Sequence, residues 1–314
     1  MPTLYPPSPV SSTPQSDHRT TGVLLALAAY GWWGGVTPVY YYVLKNVPVL
    51  ELIAWRVLAG LPVMLVLLGL TGRLPGLWAI LKHPRVLATL AGSALLIGIN
   101  WFVFIVAIDT DRLAEVSLGY YINPLVTVAL GMIVLGERMR AAQWLAVAIA
   151  ASGVILLAIR IGGVPWISLS LAGSFALYGL VRKQVNADAP TGLTVEMALF
   201  LPFMIALLGF VHMDGGTQFA EGPWWLAVML LLGGPVTIIP LLLFTGCARR
   251  LRLATVGLLQ YIAPSGQLLL AVLVFGEPFG SERLIAFVLI WIAVLVYSID
   301  TLRSTRPKTV LPDP

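Results

Sequence analysis

The sequence predicts an all-α polytopic membrane protein: ten transmembrane helices in two inverted five-helix halves, with both termini cytoplasmic. Three observations carry this. Of the 314 residues, 59% are hydrophobic and only 11% charged, whereas soluble domains carry roughly 25% charge. Ten apolar runs, most near the roughly 20 residues that cross a bilayer, are separated by short polar connections. One of these runs, with its flanks, repeats another across 140 positions.

Taken in order, residues 1–20 hold prolines at 2, 6, 7, 9 and 14 among hydroxyl residues and offer no apolar segment. They read as a disordered cytoplasmic tail. No basic start followed directly by an apolar stretch is present, so a signal peptide is not expected. The spans follow at 21–43, 49–70, 86–107, 113–135 and 141–159, then 165–183, 192–211, 224–245, 253–275 and 284–301. The first five make one repeat over 21–160 and the second five another over 161–303; 304–314 is a cytoplasmic C-terminal tail. Only the connections 71–85 and 212–223 exceed ten residues, which leaves no room for an inserted soluble domain.

Lys and Arg orient the spans, because cytoplasmic loops collect them. One set of segments carries Arg19; Arg73, Lys82 and Arg85; Arg138 and Arg140; Arg182 and Lys183; Arg249, Arg250 and Arg252; and Arg303, Arg306 and Lys308. The alternate set carries only Lys45, Arg112, Arg160 and Arg283. The first set, with both termini, is therefore expected on the cytoplasmic side.

The internal repeat is specific. Residues 112–137, RLAEVSLGYYINPLVTVALGMIVLGE, and 252–277, RLATVGLLQYIAPSGQLLLAVLVFGE, agree at 12 of 26 positions without a gap. Matched Arg, Tyr, Pro and Gly-Glu are not explained by a shared taste for Leu and Val. The same offset pairs Pro62 with Pro202 and Phe104 with Phe244. Each half has five spans, an odd number, so the second half enters the membrane from the opposite side. Such inverted repeats recur in secondary transporters, where two halves rock about a central site. A duplication kept only for folding would leave the same trace.

Polar residues then mark faces. Tyr120, Asn123, Thr127 and Gly131 share one side of span 4, and Gln260, Ala263, Gln267 and Ala271 the same side of span 9. Spans 1 and 6 carry Tyr30, Trp33, Thr37 and Tyr41, and Ser170, Ser174 and Tyr178. Span 3 carries Asn100 beside Trp101, and span 8 carries Thr237 between Pro235 and Pro240. Polar groups are costly against lipid, so these faces look onto protein or a wet cavity. Trp33, Thr37, Asn100, Tyr120, Asn123, Thr127, Tyr178, Gln260 and Gln267 are the candidate solute contacts; close helix packing is the alternative. Pro124 and Pro264 are candidate hinges, since each removes a helix hydrogen bond. Arg56, Glu115 and Glu196 are charges within spans, hence candidates for coupling or gating. They would otherwise serve structural ion pairs, with Glu51 an obvious mate for Arg56. Gly136-Glu137 and Gly276-Glu277 read as helix ends.

Enzyme signals are missing: no GxxxxGK[ST], HExxH or GxSxG motif occurs, and His18, His83 and His212 are scattered. No catalytic residue, metal site or cofactor is expected. Cys247 stands alone, which rules out an internal disulfide framework. No basic stripe suggests nucleic acid.

The motifs GVLLALAAYGWWG, LGYYINPL with LGER, QWLAVAIAASGV, ALYGLVRK and RLRLATVGLLQYIAP resemble the RarD permeases, members of the EamA family in the drug/metabolite transporter (DMT) superfamily. The resemblance covers residues 21–303. It implies ten helices in two EamA repeats, a bacterial inner-membrane location, and a cavity built from spans 1, 3, 4, 6, 8 and 9. The expected function is secondary active transport of small organic metabolites or drug-like solutes, outward, by alternating access. Protons are a candidate coupling ion, and monomer and homodimer are both open. The rival reading is a membrane sensor or assembly partner that keeps the fold without turnover.

Overall fold

The computed structural model describes residues 15–161, 165–213, 216–274, 276 and 281–303. Among them every regular element is helical. In chain order these are α1 (Gln15–Gly31), a π-helical turn (Trp32–Val36), α2 (Thr37–Val43), α3 (Val49–Leu58), α4 (Gly60–Leu70) and the short α5 (Leu74–Leu81). There follow α6 (Pro84–Asp109), α7 (Leu113–Leu135), α8 (Ala141–Ile161), α9 (Trp166–Gln184) and α10 (Ala189–Met213). The chain ends with α11 (Gln218–Glu221), α12 (Trp224–Arg250), α13 (Leu253–Leu259), α14 (Ile262–Leu273) and α15 (Ser281–Arg303).

Eight helices among the described residues are long and apolar enough to cross a bilayer: 18–43, 49–70, 84–109, 114–135, 141–159, 189–213, 224–250 and 253–273. Of the other expected spans, α15 contributes the apolar stretch Leu284–Asp300. The remaining one, α9, is the polar exception, with Ser168, Ser170, Ser174, Arg182 and Lys183. Its surroundings explain the polarity. Ten of its residues, Arg182 included, are buried in the bundle, so neighbouring helices and not lipid solvate them.

The first helix begins at Gln15, inside the tail expected over 1–20; it starts just after Pro14, the last breaker in that segment. Residues 1–14, the expected tail 304–314 and Glu277 lie outside the described residues.

Helix breaks follow backbone chemistry. Helix α7 runs continuously through Pro124. The matched Pro264 does interrupt: α13 stops at Leu259, and the Gln260 carbonyl, which Pro264 cannot serve, takes the Ala263 N–H at 3.1 Å. Gly136 closes α7 at φ +64°, a left-handed cap that glycine adopts without strain. The Glu137 carboxylate then reaches across the bundle and accepts the N–H groups of Leu253 and Ala254 at 2.7 and 2.9 Å. It thus serves the start of α13, where free N–H groups favour an anion, and not the helix that follows it in sequence.

Helix pairing sets the centre. Helix α1 packs on α12, α6 on α9, α3 on α10, α8 on α15, and α7 on both α9 and α13, while α14 crosses the π turn. The largest core cluster joins Tyr30, Tyr178, Phe244, Cys247 and Val256. Outward-facing apolar side chains such as Phe102, Ile133 and Phe203 stand exposed around the bundle, as lipid contact requires.

Candidate functional site

A cavity of about 190 Å³ opens among these helices. It lies toward the ends where α2 and α6 finish and α7 begins, beside the middle of α12. Of the nine expected solute contacts, seven line it: Trp33, Thr37, Asn100, Tyr120, Asn123, Gln260 and Gln267. Arg56 and Pro264 also face it, with Tyr41 and Thr237.

The cavity wall begins with a backbone irregularity. In the π turn, the Thr37 N–H bonds the Trp32 carbonyl. One residue further on, Pro38 has no N–H to offer. The Trp33 carbonyl is left without a helical donor, and the Gln267 side-chain amide fills the gap at 3.1 Å. Single π turns frequently occur at functional sites. This one aims Trp33 and Thr37 into the cavity.

The polar groups divide into committed and uncommitted. Asn100 spends its amide hydrogens on the Leu171 carbonyl (3.0 Å) and the Ser174 hydroxyl (3.1 Å), which fixes α6 to α9. The Asn123 side-chain oxygen Oδ1 accepts the Thr127 hydroxyl at 3.4 Å. By contrast, the buried Gln260 Oε1 and Thr37 Oγ1 have no hydrogen-bond partner among the described residues. Such orphan atoms are rare in folded proteins and mark places where water or a ligand completes the bonding.

Among the described residues Arg56 is the one charged side chain lining the cavity. Its Nε donates to Thr237 Oγ1 at 3.0 Å, and its guanidinium lies 4.5 Å from the centre of the Trp101 ring. It does not pair with Glu51. That carboxylate is fully buried and accepts the N–H groups of Gln218 and Phe219 at 3.0 and 2.9 Å, capping α11.

Beneath the cavity lies an aromatic floor. Trp33 and Phe175 sit 5.9 and 5.1 Å from the Phe244 ring, which stacks on Tyr178 and meets Tyr30 edge-on. Phe244 and Phe175 are floor residues that the polar stripes do not mark. Phe175 follows Leu171 by one helical turn, and that spacing is the only signal the sequence holds for it.

The other expected residues lie elsewhere. Thr127 is buried against α13, where Gly257 leaves room for it. Pro124 is likewise outside the cavity, its carbonyl against the same glycine. Tyr178 is buried and donates to Glu196 Oε2 at 3.3 Å. Glu196 also accepts the Ser93 hydroxyl and stands 3.5 Å from Arg182 Nη1. Arg182, expected at the cytoplasmic end of span 6, is fully buried in this network. Glu115 pairs with Arg112 one turn away, and Ser168 donates to its backbone carbonyl.

Known proteins agree with this architecture. Residues 20–159 match the EamA-like transporter family. Protein RarD of Escherichia coli K12 is 42% identical over 285 residues, covering 91% of this chain and 96% of the relative. The chain belongs to the EamA family, on its RarD branch. A Vibrio cholerae transporter is also 42% identical over 292 residues, 93% of this chain and 96% of its own. The chloramphenicol-sensitive protein RarD of Pseudomonas aeruginosa is 32% identical over 292 residues, 91% of this chain and 96% of its own. A solved crystal structure at 20% identity shares the fold, with TM-score 0.67 over 92% of this chain and 99% of that one. RarD-branch members are multi-pass membrane transporters, and the apolar helices here fit that class.

Proposed function

We propose that this RarD-branch protein is a secondary active transporter that exports small organic metabolites or drug-like solutes across the bacterial inner membrane by alternating access. The observation that carries the reading is the cavity itself. It has aromatic walls, a few convergent polar groups, and two buried acceptors, Gln260 Oε1 and Thr37 Oγ1, without partners among the described residues. That is the composition of a small-molecule site. An assembly partner needs no such space, and a sensor would bind a solute there without moving it.

The membrane arrangement in this proposal is ten spans in two inverted repeats, 21–160 and 161–303, with both termini inside. Its support is the pairing of helices. Exchanging each span with the one five places on turns the α1–α12 contact into α9–α6, and the α7–α9 contact into that of α14 with the π turn. Pro264, at the α13–α14 break, is the hinge, with Pro124 its mate. Arg56 gates the cavity, while Glu196, held by Arg182, Ser93 and Tyr178, is the coupling candidate; Glu115, tied to Arg112, supports span 4. Protons are the coupling ion in this scheme.

The test is efflux and uptake in sealed vesicles holding the purified protein, across a panel of small metabolites. Saturable movement of one class supports the proposal. If no solute moves and none raises the melting temperature, the transport reading fails.

A further inference from the structure

Among the described residues the cavity has one formal charge, and none of them balances it. Arg56 makes no ion pair among the described residues. Glu51, the nearest acid on its own helix, spends both oxygens on the backbone of α11. No described Asp, Glu or Lys lines the cavity. An unmatched guanidinium at membrane depth is costly, and such charges mark solute or ion pathways.

Its geometry is also set for an incoming partner. Thr237 takes the Nε–H, and Trp101 holds the plane of the guanidinium by stacking. The two terminal nitrogens keep their forked N–H groups, the arrangement that grips a carboxylate with two parallel hydrogen bonds. Around this fork the walls are Trp33, Trp101, Phe104 and Phe175, surfaces for a flat apolar body.

Resting on the transporter reading above, we propose that the solute is a monoanion: a carboxylate on an aromatic or similarly flat apolar body, its charge held by Arg56. A single arginine with no second cation matches one negative charge, not a phosphate dianion. The lack of any lining carboxylate disfavours amines. The orphan acceptors Gln260 Oε1 and Thr37 Oγ1 then select for an N–H or O–H on the solute's body.

The test compares solutes of one shape and different charge on the full-length protein: phenylacetate, 2-phenylacetamide, 2-phenylethylamine and phenyl phosphate. Calorimetric binding and exchange in proteoliposomes are both read. Phenylacetate is expected to bind at least roughly tenfold more tightly than the amide, as a bidentate charged contact allows. Arg56→Gln should bring acid and amide level. Should Arg56→Gln not fold, Arg56→Lys serves, since a point charge without the fork should narrow the preference without abolishing it.

Equal or better binding of the amide, the amine or phenyl phosphate overturns the inference, as does a preference that survives loss of the guanidinium. Vesicles that move the amide or the amine but not the acid sink the anion inference alone. Vesicles that move none of the four, nor anything in the wider metabolite panel, sink the transporter reading with it.

Discussion

The hydroxyl of Tyr261 donates to the backbone carbonyl of Tyr121 at 3.2 Å. The two tyrosines are 140 residues apart and hold matching places in the internal repeat. Residues alike in sequence thus meet each other, where α7 packs on the break between α13 and α14. Tyr261 is almost wholly buried, and a phenylalanine there keeps the ring and loses one hydrogen bond. Tyr261→Phe is expected to cost about 1 kcal/mol, in the range of interhelical bonds within membranes. Equilibrium unfolding in mixed micelles measures it.

A second meeting point tolerates less. A methyl on Gly266 would stand 3.0 Å from three backbone atoms of Gly34, and one on Gly34 would stand 3.0 Å from the Ala263 carbonyl oxygen. Backbone cannot rotate aside, so α14 and the π turn would have to separate. Gly266→Ala is expected to lose about 1–3 kcal/mol, the usual range for overpacking. It should also displace Gln267 from the Trp33 carbonyl. A thermal melt checks the first, and loss of transport at a temperature where the variant stays folded checks the second.

Glu137 offers a polar counterpart. Its two oxygens hold the first N–H groups of α13, with Arg252 3.9 Å away. Glu137→Gln replaces one acceptor by a donor aimed at another donor. The expected loss is about 1–3 kcal/mol, that of an unsatisfied buried group. Hydrogen exchange should show the Leu253 and Ala254 amides exchanging faster than in the parent. Unchanged rates would mean that water caps the helix equally well.

These cases show what the sequence makes legible. Lipid imposes apolar runs of a set length, so the main spans, the stripe through Tyr120 and Asn123, and that through Gln260 and Gln267 are readable by period alone. The partners of a charge are not. Glu51 lies only five residues from Arg56 yet bonds α11, and Arg182 sits among basic residues yet is buried beside Glu196. Both depend on which helix packs opposite, and one chain's periodicity does not encode that. The π turn is hard to read for another reason: its Gly34-Gly35 pair weakens a helix without saying how it yields, and Pro38 acts only through the carbonyl it fails to serve.

The cavity assignment has its own test. Asn123 and Gln260 sit on α7 and at the α13–α14 break, and Gln260 Oε1 has no partner to lose. Asn123→Ala and Gln260→Ala are each expected to lower transport roughly tenfold, the factor that about 1.4 kcal/mol of lost contact energy supplies. Their melting temperatures should stay near the parent's. Full transport by both variants would show that the solute passes elsewhere.

The buried Arg182–Glu196 pair separates a role in transport from one in folding. Arg182 is fully buried, Glu196 nearly so, and Arg182 Nε and Nη1 lack hydrogen-bond partners among the described residues. A pair so incompletely satisfied is a poor source of stability. Removing one member strands the other, which costs about 3–5 kcal/mol, whereas replacing both by apolar side chains of similar volume is often neutral or stabilising. Glu196→Met alone should therefore unfold more easily than the parent, and Arg182→Met with Glu196→Met should recover or exceed the parent's stability. If the pair serves coupling, the double variant will be stable and will no longer concentrate solute against a gradient, while still exchanging it downhill. If it concentrates solute as the parent does, Glu196 carries no coupling proton and the pair is structural.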